Sequence, residues 1–294
     1  MKTKIKSSIE AYELLIAKLV VIAMILTTVL IFGSCKKDED TTQKIPDIDT
    51  QTTKDESVAQ SEYDEVLVIS AEAVDSAQTS DNETVSLSIA YCAVVTIDTL
   101  NHKITVDFGE SGCTGADGIT RSGKIKISYI GYYREPGSAM SITFDNYTSD
   151  DYTVEGQLSY ITLERNGEGN LQFTTEVING KVTYPDGAFV TWNSTRTREW
   201  VSGELSGDIY DDVFQITGES QGINSNGDGF SSQITSPITI KTACWNEFIF
   251  YPVSGTKVIM PEHLSTRSID YGDGSCDKIV YLTVGGYKYT VSLP

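Results

Sequence analysis

His102 and His263 are the only two histidines in this 294-residue chain. His102 sits in a turn-like stretch, Leu100-Asn101-His102-Lys103, and His263 follows Pro261-Glu262. A Ser-His-Asp triad needs a histidine oriented by a carboxylate beside a nucleophile, and neither setting offers a G-x-S-x-G elbow. The two are also too far apart for the H-E-x-x-H spacing of a catalytic zinc. Paired carboxylates could hydrolyse glycosides if one served as acid and the other as base or nucleophile. Glu155, Glu176 and Glu199 fall in strand-like runs and could share a face. Asp and Glu together number 41, so their presence selects nothing, and they read as solvated strand positions. No catalytic residue is assigned, and the chain is expected not to be an enzyme.

Asn224-Ser225-Asn226-Gly227-Asp228-Gly229 has the alternating oxygens and bend glycine of a calcium loop. It lacks the leading Asp, carries Thr235 where a closing Glu should stand, and has no flanking helices. A hairpin turn is the simpler reading. Asp270, Asp273 and Asp277 form a second acidic turn of the same kind. No metal and no cofactor is expected. Aromatic residues are the more interesting surface candidates. Tyr129, Tyr132, Tyr133, Tyr147, Trp192 and Trp200 lie in or beside strand-like runs. Tyr132, Tyr133, Trp192 and Trp200 could stack on sugar rings, or they could fill a core with their polar tips at its edge. Arg196 and Arg198 share one face by alternation and are placed to pair with acidic neighbours.

The elements that must carry these residues begin with an address. Lys2, Lys4 and Lys6 start the chain, Leu19 to Phe32 is almost wholly apolar, and Gly33 and Ser34 precede Cys35. A charged start, a short apolar core and small residues at a cut site describe an export signal. The apolar run is shorter than the roughly 20 residues that span a bilayer. The rival reading is a retained, slightly short anchor. Cleavage before Cys35 would leave that cysteine to take the lipid, although Phe32 departs from the usual aliphatic residue there. The first 34 residues hold four lysines and two glutamates, so the rest of this −19 chain carries a net charge near −21. Such a surface repels nucleic acid and anionic lipid, so no nucleic-acid partner is expected.

Gly33-Ser34-Cys35-Lys36-Lys37-Asp38-Glu39-Asp40 resembles the start of many lipoproteins of the Bacteroidota. In that group, lysine and acidic residues after the lipidated cysteine imply display on the outer face of the outer membrane. A wider pattern is similar to uncharacterised lipoproteins of the same group. It runs through Asp107-Phe108-Gly109, Gly112-Cys113-Thr114-Gly115, Arg121-Ser122-Gly123-Lys124-Ile125, Thr143-Phe144-Asp145-Asn146-Tyr147, Thr197-Arg198-Glu199-Trp200 and Asp270-Tyr271-Gly272-Asp273-Gly274. It implies address and fold, not activity. Asp40-Thr41-Thr42, Asp75-Ser76-Ala77 and Asp98-Thr99-Leu100 resemble the acceptor tripeptide for O-glycosylation in that group, with Thr41 and Thr99 the better placed.

After the leader (1–34), residues 35–57 are polar and read as a flexible acidic tether. Residues 58–83 form a helix and linker: Tyr63, Val66, Leu67, Ala71, Val74 and Ala77 recur at helical spacing, which predicts a short amphipathic helix over 59–77. A strand through Val66-Leu67-Val68-Ile69 is the rival reading. From 84 to 294 the text is β. Lys124-Ile125-Lys126-Ile127-Ser128-Tyr129 and Gln172-Phe173-Thr174-Thr175-Glu176-Val177 alternate, and Asn166-Gly167, Asn179-Gly180, Asp186-Gly187, Asn226-Gly227 and Gly285-Gly286 punctuate the runs. The fold class is all-β, an antiparallel meander forming a sandwich or open barrel.

Four cysteines lie in the β region, an even number that suits two disulfides in an exported chain. An internal echo bears on their pairing. Asp107-Phe108-Gly109-Glu110-Ser111-Gly112-Cys113 resembles Asp270-Tyr271-Gly272-Asp273-Gly274-Ser275-Cys276, and each follows an alternating segment that begins at Cys92 or Cys244. The echo favours Cys92–Cys113 and Cys244–Cys276. The expectation is an outer-membrane, surface-facing lipoprotein held by its lipid, with a non-catalytic binding or envelope-structural β domain. Its partners would be the membrane and a glycan or envelope protein. The alternative is a glycan-binding or glycan-processing accessory protein.

Overall fold

A computed structural model describes residues 50–79, 85–206, 210–247, 249 and 251–293. The leader, Cys35, Thr41, the tether up to residue 49 and linker residues 80–84 lie outside the described residues. One long helix, α1 (Gln51–Thr79), precedes fourteen strands. These are β1 (Val94–Asp98), β2 (Lys103–Asp107), β3 (Cys113–Thr114), β4 (Thr120–Ile130), β5 (Ala139–Ser149), β6 (Tyr152–Thr162) and β7 (Leu171–Thr183). Next come β8 (Phe189–Ser202), β9 (Val213–Ile223), β10 (Gly229–Lys241), β11 (Ser254–Pro261), β12 (Arg267–Asp273), β13 (Ile279–Val284) and β14 (Tyr287–Ser292). A 3-10 segment, Thr242–Glu247, joins β10 to β11.

The strands form one antiparallel meander in the order β1-β2-β4-β5-β6-β7-β8-β9-β10-β11-β12-β13-β14, with β3 pairing on β4. The sheet is open: β1 and β14 each have one neighbour. That path has thirteen strands, an odd number, so its first and last strands run the same way. Closing it would need a parallel seam in a sheet whose every other pairing is antiparallel.

Period-two alternation decides which side chains face inward. On β8 the pattern is nearly unbroken, with Val190, Trp192, Ser194, Arg196, Arg198 and Trp200 buried and their neighbours turned outward. The inner face and α1 together form one hydrophobic core, with Tyr63, Val66, Leu67, Ile69 and Val74 of the helix against Ile125, Ile127, Ile142, Leu158, Val177 and Trp192 of the sheet.

The sheet bends along a line of bulges. Register shifts fall at Ser122/Lys124 on β4, Glu155/Gln157 on β6, Val177/Gly180 on β7, Gln233/Ile238 on β10 and Ser254/Thr256 on β11. Glycines at positive φ mark the line, among them Gly156 (φ 110°), Gly218 (φ 131°) and Gly255 (φ 104°). A Cβ on Gly218 would stand 2.2 Å from the Thr195 carbonyl oxygen, and one on Gly255 2.3 Å from that of Pro237. An inserted residue bends its strand and leaves backbone groups unpaired. Tyr63 answers two of these at the bend: its hydroxyl donates to the Glu155 carbonyl (2.5 Å) and accepts from the Lys181 N–H (2.9 Å).

The helix differs from expectation at its N-terminal end. It begins at Gln51, so 51–57 are helical rather than tether, and it runs 29 residues rather than the short span over 59–77. Its buried stripe keeps helical spacing throughout, through Thr52, Glu56, Ala59, Tyr63, Val66, Ser70 and Ala73. In the first two turns that stripe is polar, so apolar periodicity does not register it. The helix is therefore amphipathic in the usual sense only in its second half.

Both disulfides are the local ones, Cys92–Cys113 and Cys244–Cys276. Each encloses one hairpin, β1–β2 or β11–β12. The echo is structural as well: Asp107 Oδ1 accepts from Gly109 N–H (2.9 Å) and Asp270 Oδ1 from Gly272 N–H (3.0 Å), while Phe108 and Tyr271 are both buried.

Candidate functional site

The densest chemistry among the described residues is the seam between the first half of α1 and the inner face of β8 to β11. Glu56 and Gln60, four apart on the helix, point at Lys257 of β11 and Arg196 of β8. Lys257 Nζ donates to Glu56 Oε2 and to Gln60 Oε1 (3.1 Å). Arg196 Nη2 donates to the same Gln60 Oε1 (3.1 Å) and lies 3.6 Å from Glu56 Oε1. The hydroxyls of Ser220 and Ser232 also donate to Glu56 Oε1, at 3.3 and 3.1 Å. Glu56 and Lys257 are fully buried, Arg196 is 3% exposed and Gln60 8%. Burial alone would raise the Glu56 carboxyl, but Lys257 and Arg196 outweigh it and hold its pKa below the usual range. Burial would likewise lower the Lys257 ammonium, and the Glu56 charge reverses that. The resting pair is therefore ionic, hydrogen-bonded on both sides and buried.

The seam continues along the helix. Asp64 pairs with Arg198. Glu65 accepts from Arg121 Nε (2.7 Å), Tyr147 (3.0 Å) and Ser149 (3.2 Å), while Arg121 also holds Asp117 (2.5 Å). Asp55 receives the Tyr184 hydroxyl (2.6 Å) and the Ser225 N–H (2.7 Å). Gln78 bonds Gly131 and Tyr133 through their backbone (2.9 and 2.6 Å). Glu62 is the exception. It is nearly buried, one of its carboxyl oxygens has no hydrogen-bond partner, and burial with the Glu65 charge pushes its pKa up to about 8.

The structure separates the aromatic candidates. Trp192 and Trp200 are buried, at 1% and 6% exposure, and offer no face to a ligand. Trp192 stacks on Tyr63 with centroids 5.5 Å apart, and Trp200 donates its indole N–H to Asp212 (2.9 Å). Both belong to the inward-facing alternation of β8, so the pleat that made them look like a ring platform turns them into the core. Tyr133 packs on Tyr160, leaving Tyr132, 65% exposed, as the ring of the four that faces solvent. Arg196 and Arg198 do share a face, the inner one, and their partners come from the helix.

The remaining candidates lie apart. Glu155 pairs with Lys181 on the outer surface (2.7 Å), Glu199 accepts from Asn166 and Asn170, and Glu176 is exposed. His102 stands edge-on to Tyr129, and His263 is exposed. The calcium-like loop closes on itself: Asn224 Oδ1 accepts from the N–H groups of Asn226 and Asp228, and its amide donates to Thr52 of the helix (2.8 Å). Thr99 is exposed in the β1–β2 turn, whereas Ser76 lies within α1. No cluster of three or more metal-ligating side chains occurs among the described residues.

On the outer face of β8, β9 and β10 there is an open depression of about 390 Å³, lined by Thr195, Thr197, Thr217, Gly218, Glu219, Gln233 and Ile234. It lies over the bulge line. No family model, no curated protein and no solved structure matches this chain.

The Glu56–Gln60–Lys257–Arg196 cluster is not legible as a unit in the sequence, because its helix members lie 136 to 201 residues from its strand members and all four are polar. Two signals were in the sequence: Arg196 on one face of an alternating strand, placed to pair with acidic neighbours, and Lys257 at an inward position of another such strand.

Proposed function

We propose that this chain is an outer-membrane lipoprotein, anchored through Cys35 and facing outward, whose β domain binds a partner or serves the envelope without catalysis. The observation that carries the reading is the pair of disulfides, each closing a hairpin of the β domain, which suits a compartment that oxidises thiols. The helix fills the concave side of the sheet, so a partner would meet the outer face. The hydroxyl-lined depression over β8–β10 is the natural candidate, with Thr195, Thr197, Thr217, Glu219 and Gln233 as its hydrogen-bonding groups.

The glycan-accessory reading draws on those same hydroxyl and carboxylate groups, and on exposed Tyr132 as the stacking ring. Cys35→Ala tests the anchor: radiolabelled lipid should vanish from the protein, and labelling at the wild-type level sinks the anchor. Protease added to intact cells should remove the β domain, and full protection would turn it towards the periplasm. A glycan array probed with the purified full chain, beside Tyr132→Ala and Glu219→Gln, separates the two partner readings.

A further inference from the structure

The Glu56–Gln60–Lys257–Arg196 cluster holds every part of an amide-exchange site. Lys257 supplies an amine, Gln60 a side-chain carbonyl carbon, Glu56 a base and Arg196 a fixed positive charge on the carbonyl oxygen. We propose that the side chains of Lys257 and Gln60 join in a self-catalysed isopeptide bond that releases ammonia and ties helix α1 to strand β11.

The geometry fits each role. The amine nitrogen lies 3.1 Å from Gln60 Oε1, within reach of the adjacent Cδ. Arg196 Nη2, also 3.1 Å from that oxygen, is placed where negative charge develops as the nitrogen attacks. Glu56, directly hydrogen-bonded to Nζ, takes the ammonium proton and frees the lone pair. Asp64, one helical turn beyond Gln60, lies 3.5 Å from the departing Nε2. In the step, the Nζ–Cδ bond forms and the Cδ–Nε2 bond breaks. Nζ gives one proton to Glu56 and a second to the leaving group. Glu56 then returns its proton to the released ammonia, so an ammonium ion departs and the carboxylate is restored. No oxidant, metal or co-substrate enters.

The ion pair is the resting state, and it opposes the reaction: the amine is neutral only when a proton has crossed to Glu56. Lys257 and Arg196 hold the Glu56 carboxyl low and Glu56 holds the Lys257 ammonium high, so that transfer costs more here than in water. A bond made once per molecule tolerates a rare reactive form. Water, the competitor for the Gln60 carbon, is kept out by the burial of all four residues. The site is built from the two ends of the domain, 197 residues apart, so the bond would close nearly the whole fold into a ring. On the anchored reading, it would also fasten the element nearest the tether to the far side of the sheet.

Peptide mapping of the reduced, alkylated full chain tests this. Trypsin does not cut after an acylated lysine. The wild type should give a branched peptide in which 55–103 is joined to 242–267, one ammonia lighter than the two together. Fragmentation should place the join at Gln60 and Lys257. Lys257→Arg should give linear peptides only, and Glu56→Gln should slow branching by at least about 100-fold. Wild-type protein that is cut after Lys257 and keeps the Gln60 amide overturns the proposal. So does a branch through Glu56, one water lighter, or a branch that survives in Lys257→Arg.

Discussion

Glu62 shows how one buried carboxyl can set the pH response of the helix–sheet contact. It faces Glu65, Asp150, Ser149 and Arg121, and the single cation there is already engaged by Glu65 and Asp117. Its folded pKa of about 8 lies above the value of 4.5 for a free glutamate. Between those values the folded protein holds a proton that the unfolded chain has released. Stability is therefore full below the lower value and falls as pH climbs towards 8. Glu62→Gln should remove that decline and raise stability at pH 8 by about 1–3 kcal/mol. Urea melts of both proteins at pH 5 and pH 8 measure it, and an unchanged pH slope would count against it. In the sequence Glu62 was an outward residue between apolar helix positions. Its burial comes from the β5–β6 turn, which folds over the helix from about ninety residues away.

At the scale of elements, the bulge line is what gives the sheet an inside. The sequence shows many glycines and marks them as turn residues, which holds for Gly187 and Gly227 with open space around them. Gly156, Gly218 and Gly255 are different, because they sit within strands where the neighbouring backbone leaves no room for a Cβ. Nothing local distinguishes the two groups; the cross-strand partner does. Gly218→Ala should destabilise by about 3 kcal/mol or more, through backbone strain at positive φ and a clash with Thr195. Gly167→Ala, with ordinary φ and nothing nearby, should fall within about 0.5 kcal/mol of wild type. Thermal melts of the pair decide whether the crease or glycine content as such matters. The disulfided hairpins were legible, because Asp-aromatic-Gly is a local turn signal that repeats before each second cysteine.

For the whole molecule, the helix is part of the core, and the β region is expected to depend on it. Residues 46–294 form one compact unit. A chain begun at residue 58, where the tether was expected to end, would keep Tyr63 but lose Thr52, Asp55 and Glu56. Lys257 and Arg196 would then stand buried without their carboxylate, which costs about 3–5 kcal/mol when one partner of a buried pair is removed. The 58–294 chain should melt well below 46–294 or stay unfolded, as circular dichroism and urea titration would show. Equal stability would mean that the first two helical turns are dispensable. The open path gives the same molecule two sheet edges, β1 and β14, which no single strand could have revealed.

The sequence alone settled what is local in its physics. Alternation fixed the strands and their faces, the Asn166-Gly167, Asp186-Gly187, Asn226-Gly227 and Gly285-Gly286 pairs fixed turns, and the repeated cysteine unit fixed the bridges, because each depends on neighbours a few residues away; Asn179-Gly180 instead lies at the bulge inside β7. The tertiary structure decided what depends on distant partners. It turned Trp192 and Trp200 into core, carried the helix back to Gln51 through a polar stripe, and bent the sheet at glycines that look like any others. It also brought Glu56, Gln60, Lys257 and Arg196 together. Buried charges follow no period in sequence, since each is tolerated only where the fold delivers its counterpart.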